Sequence, residues 1–141
     1  MKTKSIQIIS KGFILLSGFS LLFVSLMAFY NPQSVMDLVS VQLTNTDAYS
    51  SIRGVYGGVG LTLFITLLYT LKKNLIEGLA LLSILWGLYA LSRIITILHE
   101  GSLGAFGTQW LSIESIFCLL AFVLYMLNKR QEQYKKAIRT S

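Results

Sequence analysis

The chain has 141 residues, of which 54% are apolar and only 13% charged, with one proline, one cysteine and a formal net charge of +6. A soluble globular domain carries roughly 25% charged residues, so this composition excludes a disordered tail, a collagenous repeat and a disulfide scaffold, and argues against a soluble enzyme. It fits a small integral membrane protein.

A membrane helix needs roughly 20 mostly apolar residues to cross a hydrocarbon core about 30 Å thick. The first such span covers residues 12–30, carries no charge, and closes on Phe29 and Tyr30, then Asn31-Pro32: an aromatic belt followed by a helix stop. Its basic start (Lys2, Lys4, Lys11) has the look of a secretion signal. The apolar run is nevertheless longer than an h-region of about 7–15 residues, and Leu26-Met27-Ala28 is a poor cleavage site, so a retained anchor is expected. In the connection that follows, Pro32 to Val39 suits a short helix with Val35, Met36 and Val39 on one face. Thr44-Asn45-Thr46-Asp47 is a run of turn and capping residues, and Ser50 or Ser51 is the expected N-cap of the next span.

The second span covers residues 53–71, opened by Arg53 and closed by Lys72-Lys73. Arg53, Tyr56, Gly57 and Gly60 share a helical face, and Gly54 with Gly58 forms a small-xxx-small pair that admits a close neighbour. A very short turn leads into the third span, residues 76–98, so the two form an antiparallel hairpin. That span is interrupted by Arg93, which shares a face with Trp86, Tyr89, Thr96 and Glu100. After a glycine-rich connection the fourth span covers residues 108–127 and is interrupted by Glu114. Lone Cys118 reads as a small apolar filler. The basic tail, residues 128–141, reads as a helical extension. The expected architecture is therefore an all-α, integral membrane bundle of four transmembrane helices forming a single domain.

Ten of the twelve basic residues flank the spans on one side: Lys2, Lys4, Lys11, Lys72, Lys73, Lys129, Arg130, Lys135, Lys136 and Arg139. By the positive-inside rule that side is cytoplasmic, so both termini face in, and the protein is expected to be a multi-pass protein of a bacterial cytoplasmic membrane. Basic residues so placed meet anionic lipid heads, which makes nucleic acid an unexpected partner. Membrane lipids, a small anionic ligand, a second copy or a partner membrane protein are the partners the pattern admits.

The topology then places the unusual charges. Arg93 lies roughly 7–8 Å below the outer end of the third span and Glu114 roughly 9 Å below that of the fourth, at 1.5 Å per residue. Arg53 sits at the outer mouth of the second span, with His99 and Glu100 just above Arg93. A charge at membrane depth costs at least about 2.5–3.5 kcal/mol and therefore seeks a partner, so Arg93 and Glu114 are expected to form a bidentate pair. Such a pair can simply fix helix register. It can also leave a positive outer-leaflet pocket (Arg53, Tyr56, Tyr89, Arg93, His99, Glu100 and Glu114) for a lipid headgroup or small anion. A third reading makes Glu114 a proton carrier in a small transporter, and a fourth makes the protein an accessory subunit of a larger complex. No catalytic residue is assigned, since no nucleophile has a base at hand. One His, one Cys and scattered carboxylates lack metal-ligand spacing, and no cofactor motif is present.

Arg53-Gly54-Val55-Tyr56-Gly57-Gly58, Ser92-Arg93, Glu100-Gly101 and Glu114 together resemble a family of small bacterial four-helix membrane proteins described as a domain of unknown function. The resemblance covers about Pro32 to Leu127, and Arg-x-x-Tyr-Gly-Gly is its most specific motif. His99-Glu100-Gly101 departs from the pattern, because no proline follows it. The resemblance implies the four-helix architecture and a polar centre at Arg53, Tyr56, Arg93 and Glu114, and no activity.

Overall fold

The structure, a computed structural model, describes residues 3–140, with side chains for residues 4–138. Lys2 and the side chain of Arg139, both counted among the basic flanks, lie outside the described residues. Among those described there are six α-helices, one π-helical segment and no strand: α1 (Thr3–Tyr30), α2 (Pro32–Asp37), α3 (Thr46–Ile52), the π segment (Arg53–Gly58), α4 (Val59–Lys73), α5 (Leu75–Glu100) and α6 (Ala105–Thr140). Four stretches are long and apolar enough to cross a bilayer: Lys4–Tyr30, Thr46–Lys73, Leu75–Glu100 and Ala105–Ile138. The fold is all-α. At 28 residues α1 is about 42 Å long and at 36 residues α6 is about 54 Å long, so both exceed a hydrocarbon core of about 30 Å.

The chain divides into two compact units, one made of residues up to Ile14 and from Thr70 onward, the other of Leu15–Tyr69. In the first, α5 and α6 are antiparallel partners joined by a connection of four residues, Gly101–Gly104. Gly101 has φ +103, a backbone conformation that glycine adopts without a Cβ clash, and this ends α5. At the other end of α5, Asn74 caps the helix. Its Oδ1 accepts from the N–H groups of Ile76 and Glu77 at 3.1 and 3.4 Å, while its Nδ2 donates to Glu77 Oε1 at 2.7 Å. That reciprocal cap is what allows so short a turn after α4. Leu79 and Leu82 of α5, Ala121 of α6 and Ile14 of α1 are fully buried.

In the second unit, α1 packs against the π segment and α4. The expected N-cap at Ser50 or Ser51 is not where this helix begins. Asn45 is the N-cap, accepting from Ala48 N–H at 2.8 Å, and the helical run is continuous from Thr46 to Lys73. The capping group lies upstream because Thr44 to Asp47 supplies the extended residue and side-chain acceptor that a cap requires.

Gly54 and Gly58 are also not the close-packing pair. Both face open space among the described residues, whereas a Cβ on Gly57 would lie 3.1 Å from the Phe29 ring and one on Gly60 3.1 Å from Ser25 Cβ. Gly57 and Gly60 belong to the helical face that Arg53 opens, and Gly54 and Gly58 lie on another. Between them the helix widens to a π turn, with the N–H of Val59 bonded to the carbonyl of Gly54. The loosened turn turns Gly57 O toward α1, where it accepts a hydrogen bond from Ser25 Oγ at 2.6 Å.

The short helix after α1 is present as α2 but ends at Asp37. Val35 and Met36 are buried with Ala28, while Val39 is 50% exposed, because Ser40 (φ 57) turns the chain. Gln33 ties this loop, donating from Nε2 to Asp37 Oδ1 at 2.6 Å and to Val41 O at 2.9 Å. Its Oε1 accepts from the N–H of Leu43 at 2.9 Å.

Candidate functional site

Arg93 projects from the last third of α5 and Glu114 from the first third of α6, where the antiparallel hairpin brings the two helices to the same level. Arg93 Nε donates to Glu114 Oε2 at 2.6 Å and Nη2 donates to Oε1 at 2.8 Å. This is a fork-to-fork pair, the strongest geometry available to these groups. Its two members are not equally enclosed: 24% of the Arg93 side chain is exposed against 3% for Glu114.

The same unit carries an aromatic ladder. Trp86, 3% exposed, meets Tyr89 edge-on at 5.9 Å and Phe117 edge-on at 5.3 Å, and Phe117 meets Phe13 at 5.4 Å. Offset and edge-on ring pairs of this kind hold the helix faces in one register. Gly87 leaves room for Cys118, whose Sγ donates to the carbonyl of Ser83 at 3.4 Å. The thiol thus fills space and occupies a backbone acceptor.

The remaining candidates fall elsewhere. Tyr89 lies one turn before Arg93 and is 42% exposed. His99 and Glu100 are exposed, six and seven residues beyond Arg93, which along α5 is about 9–10 Å. Arg53 and Tyr56 belong to the other unit. There Arg53 donates from Nε to the carbonyl of Phe29 at 3.3 Å, so its cation sits on an orphan carbonyl at the C-terminus of α1. Tyr56 is 41% exposed. Among the described residues no three of His, Cys, Asp or Glu come together as a metal would require.

Sequence reasoning missed a row of buried hydroxyls on α1. Ser10, Ser17 and Ser25 are fully buried, and their spacing of seven and eight residues was the available signal of one helix face. It also missed Asn128, 6% exposed, which donates from Nδ2 to Ser10 Oγ at 2.8 Å.

Four membrane-length helices with a charged clamp set into one helical hairpin define a multi-pass α-helical membrane protein. The chain belongs to the family described as Domain of unknown function (DUF4345), which matches residues 9–125. The family domain therefore takes in most of α1, ahead of the motifs that carry the resemblance in the sequence. No curated protein and no solved structure matches the chain.

Proposed function

We propose that this is a non-enzymatic binding protein of the bacterial cytoplasmic membrane, with both termini on the cytoplasmic side, that holds a lipid headgroup or small anion at the Arg93–Glu114 pair. The observation that carries the reading is the unequal enclosure of the pair: the carboxylate is buried and the guanidinium is the partly exposed member. A group approaching from outside meets the cation first, with Tyr89 one turn away as a hydroxyl donor. The orientation is supported by the ten basic residues that flank one side of the spans.

Thermal unfolding of the full chain in neutral detergent tests the reading, with inorganic phosphate and with phosphatidic acid as probes. A ligand at about ten times its Kd raises stability by roughly 1.4 kcal/mol, about 3–5 °C for a chain of this size. The shift is expected in the native protein and absent from R93Q/E114Q, which removes both charges together and strands neither. An equal shift in the double variant overturns the proposal. Arg53→Gln, measured alongside, decides whether Arg53 contributes.

A second reading, a subunit of a larger membrane assembly, has one observation in its favour: the open space beside Gly54 and Gly58. Recovery of the protein after mild detergent extraction as a species of constant stoichiometry, lost in G54L/G58L, supports it. Recovery of a lone chain in both overturns it.

A further inference from the structure

A second polar feature lies at the opposite end of the α5–α6 hairpin from Arg93, where the α4–α5 turn meets the later part of α6. Here the structure has an open cleft of about 350 Å³, within the size range of small-molecule sites, about 300–1,000 Å³. Asn128 lines it and is 6% exposed. Both hydrogens of its amide are committed, to Ser10 Oγ and to the carbonyl of Leu124 at 2.8 Å each, so Oδ1 is the acceptor that remains. One turn further, Gln131 also lines the cleft, and its Oε1 is buried with no hydrogen-bond partner. Buried orphan acceptors are rare in folded proteins, and the soft terminal torsion of a glutamine lets this one swing toward a donor entering the cleft.

The exposed lining residues have a different character. Lys73 and Lys135 place two ammonium groups on the lining, while Glu132 is occupied by Lys136 at 2.7 Å. The Oδ1 of Asn74 caps α5, so the helix terminus is not the attraction. Leu75 and Ile76 add an apolar edge. Cations for an anion, amide oxygens for hydrogen-bond donors and an apolar margin beside membrane-length helices describe one kind of ligand.

We propose that this cleft binds the headgroup of a glycerophospholipid whose phosphodiester carries a hydroxylated substituent. Lys73 and Lys135 take the phosphate, and the amide oxygens of Asn128 and Gln131 take the hydroxyls. Asn128, Gln131 and Lys135 recur at i, i+3 and i+7, so one face of α6 presents both kinds of contact. The site is separate from the Arg93–Glu114 pair and does not depend on what that pair holds.

Native mass spectrometry of the full chain in detergent tests it with phosphatidylglycerol and phosphatidylmethanol, lipids of equal charge that differ in the hydroxyls. The native protein is expected to hold phosphatidylglycerol about three- to tenfold more tightly, the effect of one or two net hydrogen bonds. Gln131→Met reduces that preference, leaving the share that Asn128 Oδ1 supplies. K73Q/K135Q, which alters exposed side chains only, weakens both by about tenfold or more. It keeps the test sound should Gln131→Met fold poorly. Parity in the native protein, an undiminished preference in Gln131→Met, or undiminished binding by K73Q/K135Q overturns the proposal. Soluble glycerophosphoglycerol is expected to compete far more weakly than short-chain phosphatidylglycerol. Equal competition overturns the lipid as the source of the headgroup.

Discussion

Arg93 and Glu114 show how strongly a single residue is constrained once it lies at membrane depth. Removing one partner of an enclosed, hydrogen-bonded ion pair leaves the other charge uncompensated, at a cost of about 3–5 kcal/mol. Arg93→Ala is therefore expected to lower the thermal unfolding midpoint in detergent sharply, while R93Q/E114Q recovers at least half of the loss. A double variant as unstable as Arg93→Ala would show that packing of the arginine stem, rather than the pair, carries the stability. This pairing is legible in the amino-acid order, because counting residues from the ends of two adjacent spans fixes both depths. The partner of Arg53 is not. Its acceptor is the backbone carbonyl of Phe29, and every residue carries a carbonyl, so no side-chain pattern points to that one. The orphan oxygen of Gln131 is equally hidden, since its environment depends on how the turn after α4 meets α6.

Among helices, the close approaches are set by glycines, and their consequences differ by position. A Cβ on Gly78 would collide with Thr70 Oγ1 and lie 3.1 Å from Ile14 Cδ1, whereas one on Gly54 meets nothing within 4 Å. Overpacking a tight contact typically costs about 1–3 kcal/mol. Gly78→Ala is thus expected to destabilise the protein by that amount and Gly54→Ala to be neutral or slightly stabilising, as measured by thermal unfolding of the two variants side by side. Ser25→Ala removes the hydrogen bond to Gly57 O and is expected to cost about 1–2 kcal/mol by the same assay. The existence of the four long helices follows directly from uninterrupted apolar length. Which of the two glycine faces of the second helix packs does not, because Gly54/Gly58 and Gly57/Gly60 both admit a close neighbour and only the neighbouring helix decides between them. The π turn at Arg53–Gly58 is equally unmarked in the amino-acid order. The helix start is similarly displaced, from the serines at 50 and 51 to Asn45, because several good capping residues stand in a row and only the backbone decides among them.

For the molecule as a whole, the distribution of charge makes the most direct prediction. With Cys118 replaced by Ala, Ser102→Cys in the α5–α6 connection is expected to react with a membrane-impermeant maleimide on intact cells. Lys72→Cys in the α4–α5 turn is expected to react only after permeabilisation. The reverse pattern would place the basic flanks outside and invert both proposed sites. The same all-helical, hydrophobic character explains why composition alone identifies the class of protein. It also explains why composition says nothing of ligands, which depend on a few polar atoms among many apolar ones.

The π segment has one further consequence. In that turn the N–H of Val59 reaches back five residues to Gly54, so one residue more than α-helical spacing allows is absorbed without re-aiming the helix on either side. Deleting Val55 would bring the same donor and acceptor to a separation of four and let the stretch from Thr46 to Lys73 run as ordinary α-helix, with Arg53 still at the end of α1. Straightening the segment with every residue kept would instead turn α3 by about 100° relative to α4 and carry Arg53 away from the carbonyl of Phe29. The irregular turn is thus the one place in this rod where a residue can be lost without disturbing either half.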